Sequence, residues 1–330
     1  MKFSHVAAMA GFAAASPTPT IEKEDKRTIE KRAAITEACN IGFASSNGGT
    51  TGGAGGTTTT VSDFASFSEA AEADGATVVV VDGALTGPGK VRPSSDTTIV
   101  GASGGASLEN IGIYVRRVSN VIIRNLVISK VDADNGDAVG IDGSTNVWVD
   151  HVDLSGDLSV GKDDYDGLFD VTHGADWITL SNSLIHDHWK ASLVGHSDSN
   201  ADEDTGHLTV TYANNRWSNI NSRGPSVRFG TAHIYNSQYE GIIDSAINTR
   251  LGAQVLLESS AFSDTENPII FRDSDETGYI VVNDVDLGGA SYDVEEGTIS
   301  GGDLPYTYEL AGSGSLDSVL SGAGATLSWE

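Results

Sequence analysis

Two groups of charged side chains in the middle of the sequence have types and spacing suited to chemistry on an acidic ligand. One group is acidic and the other basic, and they consist of Asp137, Asp166 and Asp170, and of Lys190, Arg223 and Arg228. The chain has 46 acidic and only 19 basic residues, so three cations placed close together in sequence call for an explanation. An acidic group beside a basic one suits a divalent cation bound next to a polyanionic ligand.

The acidic group has the composition of a calcium site. Asp166 and Asp170 enclose the segment DGLFD, and their even spacing allows both to point outward from a strand. Asp137 lies 29 residues earlier, close to one repeat of the pattern described below, so we expect it to stack beside Asp166. Three hard oxygen donors suit Ca²⁺ and suit Zn²⁺ or Cu²⁺ poorly. The alternative, that each aspartate merely solvates an acidic surface, is reasonable for one residue but not for three stacked ones.

The basic group suits carboxylates. The planar fork of an arginine binds a carboxylate through two hydrogen bonds, and the alternative role of these cations is an ion pair with surface acids. His186 and His188 suggest a metal site, but the sequence has no third His or Cys at a suitable spacing, so loop or ladder positions are the better interpretation.

A repeated eight-residue pattern must position these groups. It occurs at 121–128 (VIIRNLVI), 147–154, 178–185, 210–217, 232–239 and 255–262, with a weaker seventh copy at 280–287. Successive copies start 26, 31, 32, 22, 23 and 25 residues apart, and positions 1, 3 and 8 are apolar in nearly every copy. Repeats of this length with period-2 apolar residues are typical of a solenoid of strands. We therefore predict an all-β fold, a right-handed parallel β-helix, with each copy forming one strand and copies stacking about 4.8 Å apart.

Position 5 of the repeat is polar. It is occupied by Asn125, His151, Asn182, Asn214, Asn236, Ser259 and Asp284. Stacked amides at this position should form a hydrogen-bonded ladder at a turn, in which His151 has a structural role.

The ends of the stack need protection. Phe64, Phe67 and Ala71 are at helical spacing between a possible N-cap at Ser62 and a stop at Gly75, which predicts an N-terminal capping helix over the open first turn. Residues 77–81 and 96–100 are predicted to be early strands. The last 40 residues are rich in Gly, Ser and Asp, and we expect them to form a cap or loop on the far end.

Composition and the N-terminus limit the possible functions. A net charge of −27 argues against nucleic acid or an anionic membrane as partner. Residues 1–15 have the pattern of a signal peptide, and 16–32 that of a propeptide ending at Lys31-Arg32, so 33–330 would form a single secreted, extracellular domain, which we expect to be a monomer. The alternative is an uncleaved N-terminal tail. Cys39 is the only cysteine, so an internal disulfide is impossible.

Several segments resemble a known family. They are NVWVDH (146–151), DGLFD (166–170), ITLSNSLIHDHWKASLVGHSD (178–198), VTYANN (210–215) and SRGPSVRFGTAHIYN (222–236). Together they are similar to the family-1 polysaccharide lyases and, more narrowly, to secreted fungal pectate lyases. The resemblance extends from about residue 36 to about residue 264.

The resemblance implies Ca²⁺-dependent β-elimination of α-1,4-linked polygalacturonate (de-esterified pectin) on a parallel β-helix. Asp137, Asp166 and Asp170 match the family's Ca²⁺ ligands, Lys190 and Arg228 match cations that hold the substrate carboxylate, and Arg223 matches the proposed catalytic base. Asp150 matches a non-catalytic position, and Asn135 stands where some relatives have a further acidic ligand. Arg250 is a further candidate for substrate contact.

Three rival functions use similar residues. A pectin lyase acts on methyl-esterified chains without Ca²⁺, and a polygalacturonase hydrolyses with carboxylates as acid and base. A carbohydrate-binding solenoid would hold acidic glycans without cleaving them. Detection of an unsaturated product excludes both the hydrolase and the binding protein.

Overall fold

The computed structural model describes Met1 and residues 33–329. Apart from Met1, the predicted signal peptide and propeptide lie outside the described residues. No helix among the described residues is long and apolar enough to cross a membrane.

Parallel strands stacked turn upon turn form the main body of the structure. The strands are β1 (Thr57–Val61), β2 (Thr77–Val91), β3 (Thr97–Arg116), β4 (Ser119–Arg124), β5 (Val127–Ser129), β6 (Val139–Asp142), β7 (Thr145–Asp150), β8 (Asp153–Ser155), β9 (Phe169–Thr172), β10 (Asp176–Ser181), β11 (Leu184–Lys190), β12 (Leu193–Val194), β13 (Thr209–Ala213), β14 (Arg216–Ser222), β15 (Ser226–Arg228), β16 (Thr231–Tyr235), β17 (Gln238–Glu240), β18 (Ile247–Arg250), β19 (Gln254–Ser263), β20 (Ile269–Ile270) and β21 (Tyr279–Asp286). The α-helices are α1 (Phe64–Ala71), α2 (Ala201–Asp204) and α3 (Asp317–Leu320).

The strands form three faces of a parallel β-helix. In the central turns the first face contains β4, β7, β10, β13 and β16, the second contains β5, β8, β11, β14 and β17, and the third contains β6, β9, β12, β15 and β18. The long strands β2 and β3 bend to contribute to all three faces of the early turns. The predicted fold, including the early strands, is confirmed.

The register of the stack agrees with the repeat read from the sequence. Position 1 of every copy pairs with position 1 of the next, in the order Val121, Val147, Ile178, Val210, Ala232, Val255 and Ile280. Each turn thus places equivalent residues side by side, whatever the length of the intervening loop.

The prediction that each copy is one strand is wrong in detail. Position 5 lies in the left-handed region, with φ of 55° at Asn125 and 57° at Asn214, and the chain turns a corner there. Each of the first five copies therefore spans two strands, such as β4 and β5, on the first and second faces, whereas the last two copies lie in the single strands β19 and β21. Asn tolerates this conformation better than most residues, which explains its use at the corner.

The predicted amide ladder is present at this corner. Asn214 Nδ2 donates to Asn182 Oδ1 at 3.0 Å, and Asn236 Nδ2 donates to Asn214 Oδ1 at 3.0 Å. Asn182 in turn donates to Asp150 Oδ1 at 2.8 Å. His151 interacts instead with Asp150, its Nδ1 lying 2.7 Å from Oδ2, so its role is structural.

The interior is a single apolar core running the length of the stack. Position 8 contributes a column of aromatic rings in the later turns. The ring centroids of Trp217 and Tyr239 lie 5.6 Å apart, and those of Tyr239 and Phe262 lie 4.5 Å apart, and both pairs are stacked. Cys39 is buried and free, so packing and hydrogen bonds hold the described fold together.

Helix α1 covers the start of the stack. Phe67 and Ala71 are buried in the main core, and the helix contacts β1 and β2. Its N-cap is Asp63, whose side chain accepts a hydrogen bond from the Ser66 N–H, and not Ser62 as the sequence suggested. Both residue types cap helices, so one position of error leaves the physical reason unchanged.

The last part of the chain does not form the predicted cap at the far end. Residues 309–329 lie along the ladder corner: they pass Asn236, reach Asp284 at Ser313 and then return towards the first turns. The Ala311 N–H donates to Asn236 Oδ1, the Gly324 N–H to the Asn182 carbonyl, and the Leu327 N–H to Asn125 Oδ1. This return segment, residues 309–329, covers the open edge of the amide ladder.

Candidate active site

The predicted site residues gather where the second face turns into the third. Lys190 ends β11, Arg223 follows β14, and Arg228 ends β15 on the next face. On lower turns, Asp137 precedes β6 and Asp170 lies within β9. Loops of different lengths separate these residues in sequence, and the shared corner brings them together.

Asp137 and Asp170 converge on Gly167. Asp137 Oδ1 accepts a hydrogen bond from the Gly167 N–H at 2.8 Å, and Asp170 Oδ1 accepts one from the Leu193 N–H at 2.9 Å. A Cβ atom on Gly167 would lie 2.4 Å from Asp170 Oδ1 and 2.8 Å from Asp137 Oδ1. The two carboxylates therefore approach one point, and any side chain at position 167 would obstruct them.

The environment of this pair disfavours two negative charges. Burial, with the nearby charge of Asp166, raises the pKa of Asp137 to about 6. Burial, with the charge of Asp137, raises the pKa of Asp170 well above its ordinary value. In both cases the positive charge of Arg223 acts in the opposite direction. A bound cation would stabilise both carboxylates in their charged form, so the pair fits a hard divalent ion.

Asp166 is placed differently from the prediction. The β6–β9 register, which pairs Gly140 with Asp170, puts Asp137 opposite Gly167, one residue beyond Asp166. Asp166 is 47% exposed, and its Oδ1 lies 3.5 Å from Lys190 Nζ. Within the part of the chain that the structure describes, no three His, Cys, Asp or Glu side chains form a ready metal cluster. Phe169 and Val171 point into the core, so the alternation of β9 puts Asp170 on the outer side of the strand as expected, but neighbouring residues cover it and it is buried.

The three predicted cations differ in their partners. Lys190 Nζ lies 3.2 Å from Asp163 Oδ1, and Arg228 pairs with Asp198 and donates from Nη1 to the Gly195 carbonyl at 2.7 Å. The Arg223 guanidinium makes no hydrogen bond or ion pair with any described residue, although its backbone carbonyl accepts from the Ser192 N–H. Arg223 has a φ of 64°, so its side chain leaves the backbone at a turn rather than along a strand.

All three cations line one cleft of about 430 Å³. Its basic residues are Lys162, Lys190, Arg223, Arg228, Arg250 and Arg272, against two acids, Asp244 and Asp273. The cleft is thus a local excess of positive charge in a strongly acidic chain, next to the Asp137–Asp170 pair. It has the charge needed to bind a polyanion.

Arg250 belongs to this cleft more firmly than the sequence indicated. It is the register partner of Arg228 on the neighbouring strand and is 4% exposed. Burial, with the charge of Arg228, lowers its pKa to about 10. Arg272 was missed, yet Arg228, Arg250 and Arg272 follow one another at intervals of 22 residues. That spacing equals the shortest repeat and could have identified the series.

Other residues considered from the sequence have structural roles. Asp150 is fully buried and accepts from Arg124 Nε at 2.9 Å. His186 lies between Asp153 and Asp187, and His188 Nδ1 accepts from the Lys190 N–H. Burial, with the charge of Lys190, lowers the pKa of His188 to about 4. Neither histidine is arranged as part of a metal centre.

Comparisons with known proteins agree in one family. A sequence model of the pectate lyase family matches residues 28–283. Pectate lyase plyB of Emericella nidulans is 56% identical over 324 residues, which covers 98% of each chain. Pectate lyase B of Colletotrichum gloeosporioides is 54% identical over 316 residues, covering 95% of this chain and 94% of the relative.

Solved structures agree as well. A pectate lyase from Bacillus sp. N165, crystallised with trigalacturonate, superposes with a TM-score of 0.78 and 26% identity, covering 87% of this chain and 99% of that one. Pectate lyase II from Xanthomonas campestris gives a TM-score of 0.76 and 26% identity, covering 87% and 98%.

Proposed function

We propose a mechanism for this chain from one premise: the chain belongs to the pectate lyase family. It is a pectate lyase, which cleaves α-1,4-linked polygalacturonate by elimination and leaves a 4,5-unsaturated sugar at the new end. One observation carries the mechanism. Arg223 faces the same cleft as Lys190 and Arg228 and makes no ion pair with a described residue. Within the described part of the chain Lys162 is also unpaired but is exposed, whereas the charge of Arg223 acts on both Asp137 and Asp170.

We assign Ca²⁺ binding to Asp137 and Asp170, with Asp166 as a third ligand. Asp137 and Asp170 already converge and carry raised pKa values, which suits an oxygen-preferring divalent ion. Asp166 must leave Lys190 to join them, which would leave Asp163 as the remaining acidic partner of the lysine. Bound Ca²⁺ would neutralise the substrate carboxylate and so make the adjacent C5 proton more acidic.

Lys190 and Arg228 hold the substrate carboxylate in this mechanism. Both already bind carboxylates, those of Asp163 and Asp198, and these partners are 73% and 42% exposed. Exposed ion pairs contribute little stability, so a substrate carboxylate can replace them at small cost. Their positive charge stabilises the enolate-like transition state that forms when C5 loses its proton.

Arg223 removes the C5 proton. The C5–H electron pair becomes the C4–C5 double bond, the bond from C4 to the glycosidic oxygen breaks, and that oxygen takes a proton from water. A guanidinium holds its own proton at ordinary pH, so Arg223 must release it transiently before it can act as a base. Lys190 is the alternative base, and the first prediction in the Discussion separates the two.

An assay with two polymers and a chelator tests this proposal. Ultraviolet absorbance of the unsaturated product is followed on polygalacturonate and on highly esterified pectin, before and after chelation and after Ca²⁺ is restored. We expect activity on polygalacturonate that chelation removes and Ca²⁺ restores, and that falls as esterification rises. Full activity in chelator, or a preference for the esterified polymer, would contradict the assignment.

We also propose that the enzyme is secreted as a monomer that starts at Ala33. The support is the signal-like pattern of residues 1–15 and the dibasic Lys31-Arg32 at the end of a charged segment. N-terminal sequencing of the secreted protein and its size in solution test both points. A start at Ser16 would contradict the propeptide.

A further inference from the structure

A second groove, of about 740 Å³, lies between the N-terminal segment, residues 40–52, and residues 304–307. It shares no lining residue with the basic cleft. Its aromatic residues are Trp177 and Tyr306, and its polar residues include Asn40, Asn47 and Thr307. None of the residues lining it is Asp, Glu, Lys or Arg. In a chain of net charge −27, a groove without charge is poorly suited to a cation or to a polyanion.

Trp177 has an unfavourable backbone conformation in this groove. On the two preceding turns the register-equivalent residues are Asn120 and Asn146, and all three have left-handed backbones, with φ of 62°, 56° and 62°. Asn is at home in this conformation, whereas a bulky residue there is strained.

The two asparagines have a structural function that Trp177 lacks. Asn120 donates to the Gly52 carbonyl, and Asn146 donates to the Ser46 carbonyl, so both fix the N-terminal segment. The Trp177 ring contacts Phe43 edge to face at 6.1 Å, but its indole N–H donates to no described residue. The side chain is only partly buried, so the ring and its N–H remain available to a ligand.

Neutral hydrogen-bonding groups surround this ring. Asn40 and Thr307 are exposed, and their side chains make no hydrogen bond within the described part of the chain. Asn47 uses its amide N–H to bind Asn146 Oδ1, which leaves its carbonyl oxygen free to accept. An aromatic ring with amides and hydroxyls beside it matches the apolar face and the hydroxyl edge of a neutral pyranose.

The groove continues along the stack. An adjoining depression shares Leu304 and is lined by Thr209, Thr231 and Gln254, which are register partners on three successive turns. Its one charged residue is Asp303, whose carboxylate accepts two hydrogen bonds from Ser300. Trp177 connects to this row, because its backbone N–H donates to Thr209 Oγ1 at 3.0 Å. Turns stacked about 4.8 Å apart present these polar groups at regular intervals, as an extended chain of sugars requires.

We propose that this groove binds a neutral linear polysaccharide, independently of the catalytic cleft. Trp177 provides the stacking surface, and Asn40, Asn47 and Thr307 bind hydroxyl groups. The enzyme would thereby be held on neutral chains while its basic cleft acts on polygalacturonate.

Depletion assays with insoluble neutral polysaccharides test the proposal. Secreted protein is mixed with cellulose, galactan and xylan, and the unbound fraction is measured. Trp177→Asn introduces the residue that the two preceding turns carry at this corner, so it should fold at least as well as the original. We expect at least one of these polymers to bind the original protein, and its affinity for the variant to fall about tenfold or more, as loss of an aromatic contact of about 1.5 kcal/mol or more predicts.

Two controls make the result decisive. Tyr292→Ala removes a 38% exposed aromatic side chain outside the groove and should bind like the original protein. Turnover of soluble polygalacturonate should be unchanged in both variants. Failure of the original protein to bind any of the three polymers would overturn the proposal. Unchanged binding by Trp177→Asn, competition by polygalacturonate, or a parallel loss of turnover would also overturn it.

Discussion

The amide ladder and the basic cleft both arise from the stacking of turns, but the stacked side chains bond to one another in the ladder and repel one another in the cleft. In both, stacked turns place like side chains next to each other, asparagines at the ladder corner and arginines such as Arg228 and Arg250 in the cleft. An amide carries both a donor and an acceptor, so each asparagine satisfies the next one. A guanidinium only donates and carries a charge, so stacking leaves arginines repelling one another.

The same contrast holds for the carboxylates. Asp150 is buried but receives hydrogen bonds from Arg124, Ser181 and Asn182, and its pKa is lowered despite its burial. Asp170 is also buried, and Asp137 partly so, but from the described residues each receives only a hydrogen bond from a backbone N–H. Burial, with the charge of Asp166 at Asp137 and of Asp137 at Asp170, raises their pKa values. Stacking of like residues therefore stabilises the fold where each side chain can form a hydrogen bond with the next one of the same type. Where like charges are stacked instead, a ligand of opposite charge is needed to stabilise them, and such a place can bind and act on a substrate.

The largest expected effect is on Arg223. Arg223→Lys keeps a positive charge but loses the reach and fork of the guanidinium, so turnover should fall by about 10²-fold or more, with Ca²⁺ binding and the fold retained. Initial rates on polygalacturonate and a circular dichroism spectrum measure this. Arg116→Lys, at a half-exposed arginine outside the cleft, is the matched control. Near-normal turnover in Arg223→Lys would make Lys190 the better candidate for the base.

Asp170→Asn removes one charge from the carboxylate pair. The amide oxygen can still accept from the Leu193 N–H, so the fold should be retained, while Ca²⁺ affinity falls about tenfold or more. Because a buried like charge is removed, the variant without Ca²⁺ should melt at a higher temperature than the original protein without Ca²⁺. Calcium titration and thermal melts in chelator measure both effects, with the exposed Asp275 changed to Asn as control. A lower melting temperature in chelator would show that the charged carboxylate stabilises the fold.

Stability and Ca²⁺ affinity should depend on pH through the carboxylate pair, in contrast to the amide ladder. The raised pKa of Asp137, about 6, means that the folded protein binds this proton more tightly than the unfolded chain does. In chelator, this group's contribution to stability is therefore present at low pH and is lost as pH rises through about 6. Ca²⁺ requires the charged form, so Ca²⁺ affinity should fall about tenfold for each pH unit below about 6 from this group alone. Calcium titrations across this range test it, and Asp137→Asn should flatten the dependence.

The smallest effect is expected at the ladder. Asn214→Leu removes the hydrogen bond to Asn182 Oδ1 and the one from Asn236 Nδ2, and should lower the free energy of unfolding by about 1–3 kcal/mol, with turnover per folded molecule unchanged. Leucine also strains the left-handed backbone, so Asn214→Gly, which tolerates it, isolates the loss of the amide. Denaturant unfolding measures both variants. Equal stability of Asn214→Gly and the original protein would show that the ladder hydrogen bonds contribute nothing.

The repeat was predictable because its physics is local and recurs. Apolar residues at alternate positions and a polar position 5 fixed the register from Val121 to Ile280. Position 5 was expected at a turn, yet each copy was still interpreted as one strand, so the division of the first five copies between two faces was missed. The return segment was missed because its contacts with Asn125 and Asn182 follow no repeated pattern.

Within the site, residue types were easier to predict than burial and register. The sequence identified Asp137 and Asp170, and the structure brings them together at Gly167. It could not show that Asp170 is buried, because burial depends on how the corner is covered. The loop before Asp166 shifted the expected stacking by one residue, an error that repeat spacing cannot resolve when loop lengths vary.

The return segment adds hydrogen bonds between residues far apart in sequence to the hydrogen bonds of the ladder, which join residues much closer in sequence. Rungs of the ladder join residues 22 or 32 positions apart, whereas Leu327 reaches Asn125 across 202 positions and Trp329 reaches Gly101 across 228. The turns can assemble one upon another, but the return segment finds its partners only after several turns exist. Its docking is therefore expected to be the last step of folding, and its release the first step of unfolding. Until it docks, the ladder edge is open, so the interval before docking is when one unfinished chain is most exposed to pairing with another.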